Sequence, residues 1–102
     1  MNIITYEERV KVYRDALEQY GQRTQIAVAV EEMSELTKAL IKVYRGGRDM
    51  EAKVAAVAEE LADVTIMLEQ LRLIFDCNDE VCRIMDEKVQ RLQGRIEKDR
   101  QG

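Results

Sequence analysis

Residues 26–36 read IAVAVEEMSEL, and residues 54–64 read VAAVAEELADV. In both stretches, acidic residues interrupt a run of small and apolar residues that contains no helix breaker. At about 100° per residue along an α-helix, Glu32 and Glu60 fall on the same stripes as the apolar residues around them. Both glutamates are therefore expected on the core side of two helices, where an unpaired carboxylate is costly to bury.

The rest of the sequence predicts an all-α chain. It has no proline and only 5 glycines in 102 residues, so few positions can interrupt a helix. Thr5 and Glu8 match a capping box, Gly21 and Gly46-Gly47 are breakers, and Asp49 is placed to cap a helix. The predicted helices span about residues 6–20, 23–45 and 50–75, with a fourth from a capping segment at 76–79 to near the C-terminus.

Short connections favour antiparallel packing of successive helices, so a single domain over residues 1–102, built as an antiparallel four-helix unit, is the expected architecture. The fourth helix carries a narrow apolar stripe that should pack on one or two partner helices: Val81, Met85, Val89, Leu92 and Ile96. Apolar residues are also spread along the whole of helices 2 and 3. Because this exceeds what so small a chain can cover, we expect an oligomeric helical bundle, a homodimer or homotetramer.

Composition narrows the functional classes. The formal net charge of −4 argues against binding to nucleic acid through phosphates. No apolar run is long enough to span a membrane, and the closely spaced Cys77 and Cys82, without an export signal, favour a reducing, cytoplasmic location. Histidine is absent, so a metal site would use oxygen ligands and a hard cation.

Two pairs of acids are candidate metal ligands. Glu35 lies three residues after Glu32, and Asp63 lies three residues after Glu60, so each helix offers an i, i+3 pair at the same edge of its apolar face. Solvated surface charges are the alternative interpretation. However, clustered like charges repel, and few basic residues share these stripes, so a bound cation is the simplest compensation.

These residues resemble a known family. Glu31-Glu32-x-x-Glu35 followed by Glu60-x-x-Asp63 is similar to the EExxE and ExxD motifs of the MazG-like all-α nucleoside triphosphate pyrophosphohydrolases. The resemblance implies that four carboxylates bind Mg²⁺, with Mn²⁺ as a possible substitute: Glu32, Glu35, Glu60 and Asp63. It also implies that Glu31 completes the acidic shell and that the substrate is an NTP or dNTP cleaved to the monophosphate and pyrophosphate. The catalytic role of orienting or deprotonating the attacking water is then expected of Glu31 or of one of the ligands.

The same resemblance suggests a phosphate-binding role for Lys88 and Arg91, the nearest match to a basic pattern after ExxD; solvation of the fourth helix is the alternative. Ala62 stands where many relatives have glycine, and the chain has no tryptophan to stack on a base. Two other functions stay open. One is a phosphoribosyl-ATP pyrophosphatase, which has a similar acidic stretch, and the other is a non-catalytic helical assembly protein.

Two further features have both a structural and a functional interpretation. Gln25 shares the stripe of Glu32, so its amide either contacts a ligand or a site water or serves the fold. The heptad-like spacing of Tyr6, Tyr13 and Tyr20 favours a place in the core over a base-stacking surface.

Overall fold

The computed structural model describes residues 2–102. Over this range the chain is all-helical and contains no strand, as the sequence predicted. Helix α1 spans Tyr6–Tyr20, α2 spans Gln22–Arg45, α3 spans Met50–Ile74 and α4 spans Asn78–Gln101. Among residues 2–102, no helix combines the length and the hydropathy that crossing a lipid bilayer requires.

Helix α1 begins at the predicted capping box. The Thr5 hydroxyl accepts a hydrogen bond from the Glu8 amide at 3.1 Å, and the Glu8 carboxylate accepts one from the Thr5 amide at 3.3 Å. Of the three spaced tyrosines, only Tyr13 is buried, whereas Tyr6 and Tyr20 are 49% and 62% exposed. The prediction of a continuous tyrosine core stripe is therefore wrong for two of its three members. Helix α1 therefore packs against the rest of the chain around Tyr13 and not along its whole length.

The connection between α2 and α3 depends on left-handed backbone. Gly46 and Gly47 have φ of 70° and 90°, which glycine adopts without steric cost. Asp49 precedes α3 as predicted, but its own φ is 61° and its side chain makes no capping hydrogen bond. The predicted cap is wrong because a capping side chain reaches the first turn from extended backbone. The Lys53 ammonium closes the turn instead, donating to the Gly46 carbonyl at 2.7 Å.

Helices α2 and α3 form an antiparallel pair at the centre of the molecule. Near one end, the Gln25 amide donates to the Gln70 carbonyl oxygen at 2.9 Å; at the other end, Lys53 reaches Gly46. Four of the five buried apolar side chains among residues 2–102 lie on this pair: Ala29, Ala39, Val64 and Met67. This register places the two acid-bearing stretches opposite each other, halfway along the pair.

Helix α4 packs far less than the sequence predicted. Asp76, with φ of 49°, ends α3 in a left-handed conformation, but no side chain caps α4 at its N-cap residue, Cys77. The Arg72 guanidinium donates to the Asn78 side chain at 3.3 Å across this connection. No residue of α4 is buried, and most of its apolar stripe is exposed. A closed four-helix unit within one chain is thus not formed, because α4 contacts α3 mainly near the connection.

Candidate metal centre

Three of the four predicted metal ligands converge between α2 and α3. Glu32 projects from α2, and Glu60 and Asp63 project from α3. One carboxylate oxygen of each lies within 4.8 Å of the other two, and all three side chains are partly buried. The neighbouring Glu31 and Glu59 are exposed, so the phase of each helix turns Glu32 and Glu60, rather than these neighbours, towards the interior.

Within the cluster, the Glu60 carboxylate is the one that the contacts of residues 2–102 satisfy least. Its Oε2 atom is buried and has no hydrogen-bond partner among residues 2–102. A buried carboxylate oxygen without a donor is rare, since it loses its hydration and gains nothing in return. A cation held between the three carboxylates would supply the missing partner.

Burial and crowding shift the titration of the site in the same direction. Burial raises the pKa of the Glu60 carboxyl above its ordinary value of 4.5, and the charges of Asp63, Glu35 and Glu59 raise it further. Burial also raises the pKa of Glu32, and the charges of Asp63, Glu60, Glu31 and Glu35 add to that effect. Both carboxylates are therefore held in an environment that disfavours their negative charge and favours a proton or a metal ion.

The remaining predicted acids lie beside this cluster. Glu35 is exposed and accepts a hydrogen bond from the Lys38 ammonium at 3.3 Å. It is not one of the three mutually close carboxylates, although its charge raises the pKa of both Glu32 and Glu60. Glu31 is also exposed, and its charge contributes to the raised pKa of Glu32. Neither residue is thus one of the three mutually close carboxylates.

The two predicted phosphate-binding residues lie on α4. Lys88 and Arg91 are both exposed, and among residues 2–102 neither forms an ion pair with an acid of the cluster. Because α4 contacts α3 mainly near their connection, these two side chains do not join the metal centre through any hydrogen bond or ion pair within the chain.

Basic residues other than Lys88 and Arg91 lie beside the carboxylate cluster. A groove of about 310 Å³ between α2 and α3 is lined by Glu35 and Glu60 together with Lys38, Lys42 and Lys53. Sequence reasoning missed it as a unit, although helical spacing contains the signal. Lys38 and Lys42 lie three and seven residues after Glu35, and Lys53 lies seven residues before Glu60, so each lysine shares a face with an acid.

Gln25 and Tyr13 serve the fold. Gln25 is buried and its amide is bonded to Gln70, so the structural interpretation of this residue is the correct one. The Tyr13 hydroxyl donates to the Glu69 carboxylate at 3.3 Å, and Arg9 donates to the same oxygen at 3.2 Å. This group ties α1 to the C-terminal half of α3.

The residues present fit a divalent cation. Three carboxylate oxygens close to one another, one of them buried and unpartnered, form a hard donor set that suits Mg²⁺ or Mn²⁺. No family model, curated protein or solved structure matches the chain. A function for the chain must therefore be inferred from the three carboxylates and from the sequence motifs that carry them.

Proposed function

We propose that this chain is a divalent-cation-dependent nucleoside triphosphate pyrophosphohydrolase, an enzyme that cleaves an NTP or dNTP to the monophosphate and pyrophosphate. The observation that carries the proposal is the buried, unpartnered Oε2 of Glu60 inside a cluster of three carboxylates from two helices. The resemblance of the EExxE and ExxD motifs adds the reaction class. The geometry itself supports cation binding and leaves the substrate to experiment.

The proposed roles follow from position. Glu32, Glu60 and Asp63 hold the cation, and Glu35, one turn from Glu32, is placed to join them once Lys38 releases it. When bound, Mg²⁺ neutralises phosphate oxygens and supplies water of lowered pKa. Glu31 is exposed at the edge of the cluster, where its carboxylate can accept a proton from an attacking water.

The proposed reaction is a substitution at phosphorus. The oxygen of a water molecule forms a bond to the α-phosphorus, and the bond between that phosphorus and the bridging oxygen to the β-phosphorus breaks. Glu31 takes the proton from the water, and the bond electrons leave with pyrophosphate. Basic side chains near the leaving phosphates would stabilise their growing negative charge.

A screen for pyrophosphate release tests this function. Purified protein with Mg²⁺ is expected to release pyrophosphate from at least one of the common NTPs or dNTPs, and Glu60→Gln is expected to remove that activity. Phosphoribosyl-ATP belongs in the same screen, because preferred turnover of that compound would identify the related pyrophosphatase activity. Absence of release from every compound, with the cation bound, would instead favour a non-catalytic assembly role, which the exposed apolar stripe of α4 would serve.

A further inference from the structure

The groove beside the acids has an uneven distribution of charge. Glu35 and Glu60 line the end next to the carboxylate cluster, and Lys38, Lys42 and Lys53 line the rest, over a floor of alanines. From Ala52 to Glu60 the α3 side of the groove is about 12 Å long, at 1.5 Å per residue. One end therefore suits a cation and the other suits an anion.

The three lysines differ in whether their ammonium groups already have a partner within the chain. The Lys53 ammonium is bonded to the Gly46 carbonyl, and Lys38 is paired with Glu35 at 3.3 Å. Among residues 2–102, the Lys42 ammonium makes neither a hydrogen bond nor an ion pair. Lys42 is thus available to a ligand, and Lys38 becomes available if Glu35 turns to a cation.

The first turn of α3 adds to the positive end of the groove. Ala52 and Lys53 lie in this turn and line the groove, and the side chain of Asp49 does not cap the helix. The backbone amides of a helix's first turn carry a partial positive charge and bind anions when they are not capped. The charges of the lysines and the partial positive charge at the start of α3 therefore both act on the groove.

We propose that this groove binds the terminal phosphates of a polyphosphate chain, so that Lys38, Lys42 and Lys53 hold the pyrophosphate part of the substrate while the α-phosphate lies at the carboxylates. A ligand that carries several phosphates and chelates a divalent cation matches both ends of the groove. The proposal rests on the proposed function, and it assigns the leaving-phosphate role to α2 and α3 rather than to Lys88 and Arg91.

Binding of inorganic tripolyphosphate in the presence of Mg²⁺, measured by calorimetry, tests the groove without any turnover. Wild-type protein is compared with Lys42→Gln and with the double variant Lys38→Gln/Lys42→Gln. Each lysine removed is expected to weaken tripolyphosphate binding about three- to tenfold, as for a charged contact that is partly screened by solvent. The melting temperature and the affinity for Mg²⁺ alone should stay within error of wild type or rise slightly.

Lys11→Gln is the matched control, since Lys11 is an exposed lysine of α1 and α1 joins α3 at the end far from the α2–α3 turn. It should leave tripolyphosphate binding unchanged. Lys53 is left intact because its ammonium also holds that turn. The groove proposal is overturned if wild-type protein does not bind tripolyphosphate, if the double variant binds within twofold of wild type, or if Lys11→Gln causes an equal loss.

Nucleotide kinetics separate this proposal from the function on which it rests. With an NTP or dNTP that is turned over, the double variant should raise KM for the triphosphate, while binding of the matching monophosphate should be unaffected. If no nucleotide is cleaved yet tripolyphosphate binding depends on the lysines, the groove stands and the proposed reaction falls. If turnover proceeds with an unchanged KM in the double variant, the reaction stands and the groove assignment falls.

Discussion

Glu60 is the residue at which the stability of the chain and its proposed function conflict most directly. Within residues 2–102 its buried Oε2 atom has no hydrogen-bond donor, and burial, together with the charges of three neighbouring carboxylates, raises the pKa of the Glu60 carboxyl. Such a residue weakens the fold unless a ligand compensates for it. The conflict gives the site a signature in stability measurements that a set of solvated charges would not show.

The substitution Glu60→Gln should therefore stabilise the protein without metal and abolish its response to metal. Glutamine keeps the volume of glutamate, removes the repelled charge and adds an N–H donor for the neighbouring carboxylates. At neutral pH and without Mg²⁺, the melting temperature is expected to rise by a few degrees. Added Mg²⁺ should raise the melting temperature of the wild type, through binding to the folded state only, but not that of the variant.

Glu59→Gln provides the control for that experiment, because Glu59 is the next residue of the same helix and is exposed. It removes the same negative charge as Glu60→Gln but leaves the three carboxylates of the cluster in place. The variant should therefore retain the wild-type response to Mg²⁺, and its melting temperature should change less. Normal Mg²⁺ binding by Glu60→Gln would show that the metal ligands have been misassigned.

The raised pKa values of Glu32 and Glu60 predict opposite effects of pH on the apo protein and on metal affinity. Each group holds its proton to higher pH when folded than when unfolded, so the folded state binds more protons above pH 4.5, the ordinary value. Stability of the apo protein should consequently fall as pH rises from 4.5 through the raised pKa values. Mg²⁺ must displace those protons, so its affinity should weaken as pH falls through the same range.

Calorimetry and thermal melts across the acid range would measure both effects, with Mn²⁺ and Ca²⁺ as comparison ions. Mn²⁺ should replace Mg²⁺, because it accepts the same oxygen ligands and geometry, whereas Ca²⁺ should bind and support little turnover. A pH-independent Mg²⁺ affinity, or nucleotide cleavage undiminished by a chelator, would rule out the carboxylate site.

Residue spacing predicted four converging acids, of which Glu32, Glu60 and Asp63 lie close together and Glu35 does not. The i, i+3 pairs and the apolar stripes identified Glu32, Glu60 and Asp63, because helical phase depends only on sequence separation. The exposure of Glu35 and its pairing with Lys38 depend on the side-chain rotamers, which no pattern contains. The lysine groove was missed because it forms only when two helices are placed side by side.

At the level of elements, the antiparallel α2–α3 pair and the bounds of its helices were predictable to within about one residue, but the capping of α3 was not. The glycine pair Gly46-Gly47 predicts a turn between two helices. Helical stretches of similar length before and after that turn favour a helical hairpin. The capping box of α1 was predicted correctly. Cys77, rather than a neighbouring Asp or Asn, is the N-cap residue of α4, and the predicted cap of α3 failed because Asp49 adopts left-handed backbone. Capping depends on that local conformation, which residue type alone does not determine.

The buried contact between Gln25 and Gln70 gives a test of the α2–α3 pairing. Replacing either one with leucine should destabilise the protein by about 1–3 kcal/mol, since the other amide loses its partner inside the protein. The double substitution with leucine should recover much of that loss, because no orphaned amide then remains. Chemical denaturation of the two single variants and the double variant measures this coupling.

Gln22→Leu serves as the control in that cycle, because Gln22 is exposed at the start of the same helix. Its stability should stay close to wild type. Independent, additive effects of Gln25→Leu and Gln70→Leu would contradict the pairing seen in the structure.

The whole molecule is too open for its size. Its accessible surface is 8599 Å², whereas a compact monomer of 11.8 kDa would expose about 5,900 Å². Its radius of gyration is 17.4 Å, against about 13 Å for a compact domain of this length. The excess of about 2,700 Å² per chain amounts to about 5,400 Å² for two chains, at the upper end of the total area that obligate dimers bury. The sequence predicted more apolar surface than one chain can cover. It could not show how much of the α4 stripe is left exposed.

We propose that a second copy of the chain covers this surface, and that the stripe of α4 is part of the interface. Leu92 is 45% exposed at the middle of the stripe, between Val89 and Ile96. A lysine there would place a charge in the proposed apolar interface, so Leu92→Lys should weaken dimerisation by at least tenfold, on the order of 1.4 kcal/mol. Because no residue of α4 is buried within one chain, the substitution should leave the contacts among α1, α2 and α3 intact.

Light scattering and sedimentation at several protein concentrations would measure the effect, with Gln90→Lys as the control. Gln90 lies on the opposite face of α4, about 160° from Leu92 at 100° per residue, so the same added charge should leave the dimer unchanged there. Equal weakening by both variants would point to net charge rather than to the stripe. A wild-type chain that stays monomeric and active at micromolar concentration would contradict the assembly outright, since the exposed surface would then need no partner.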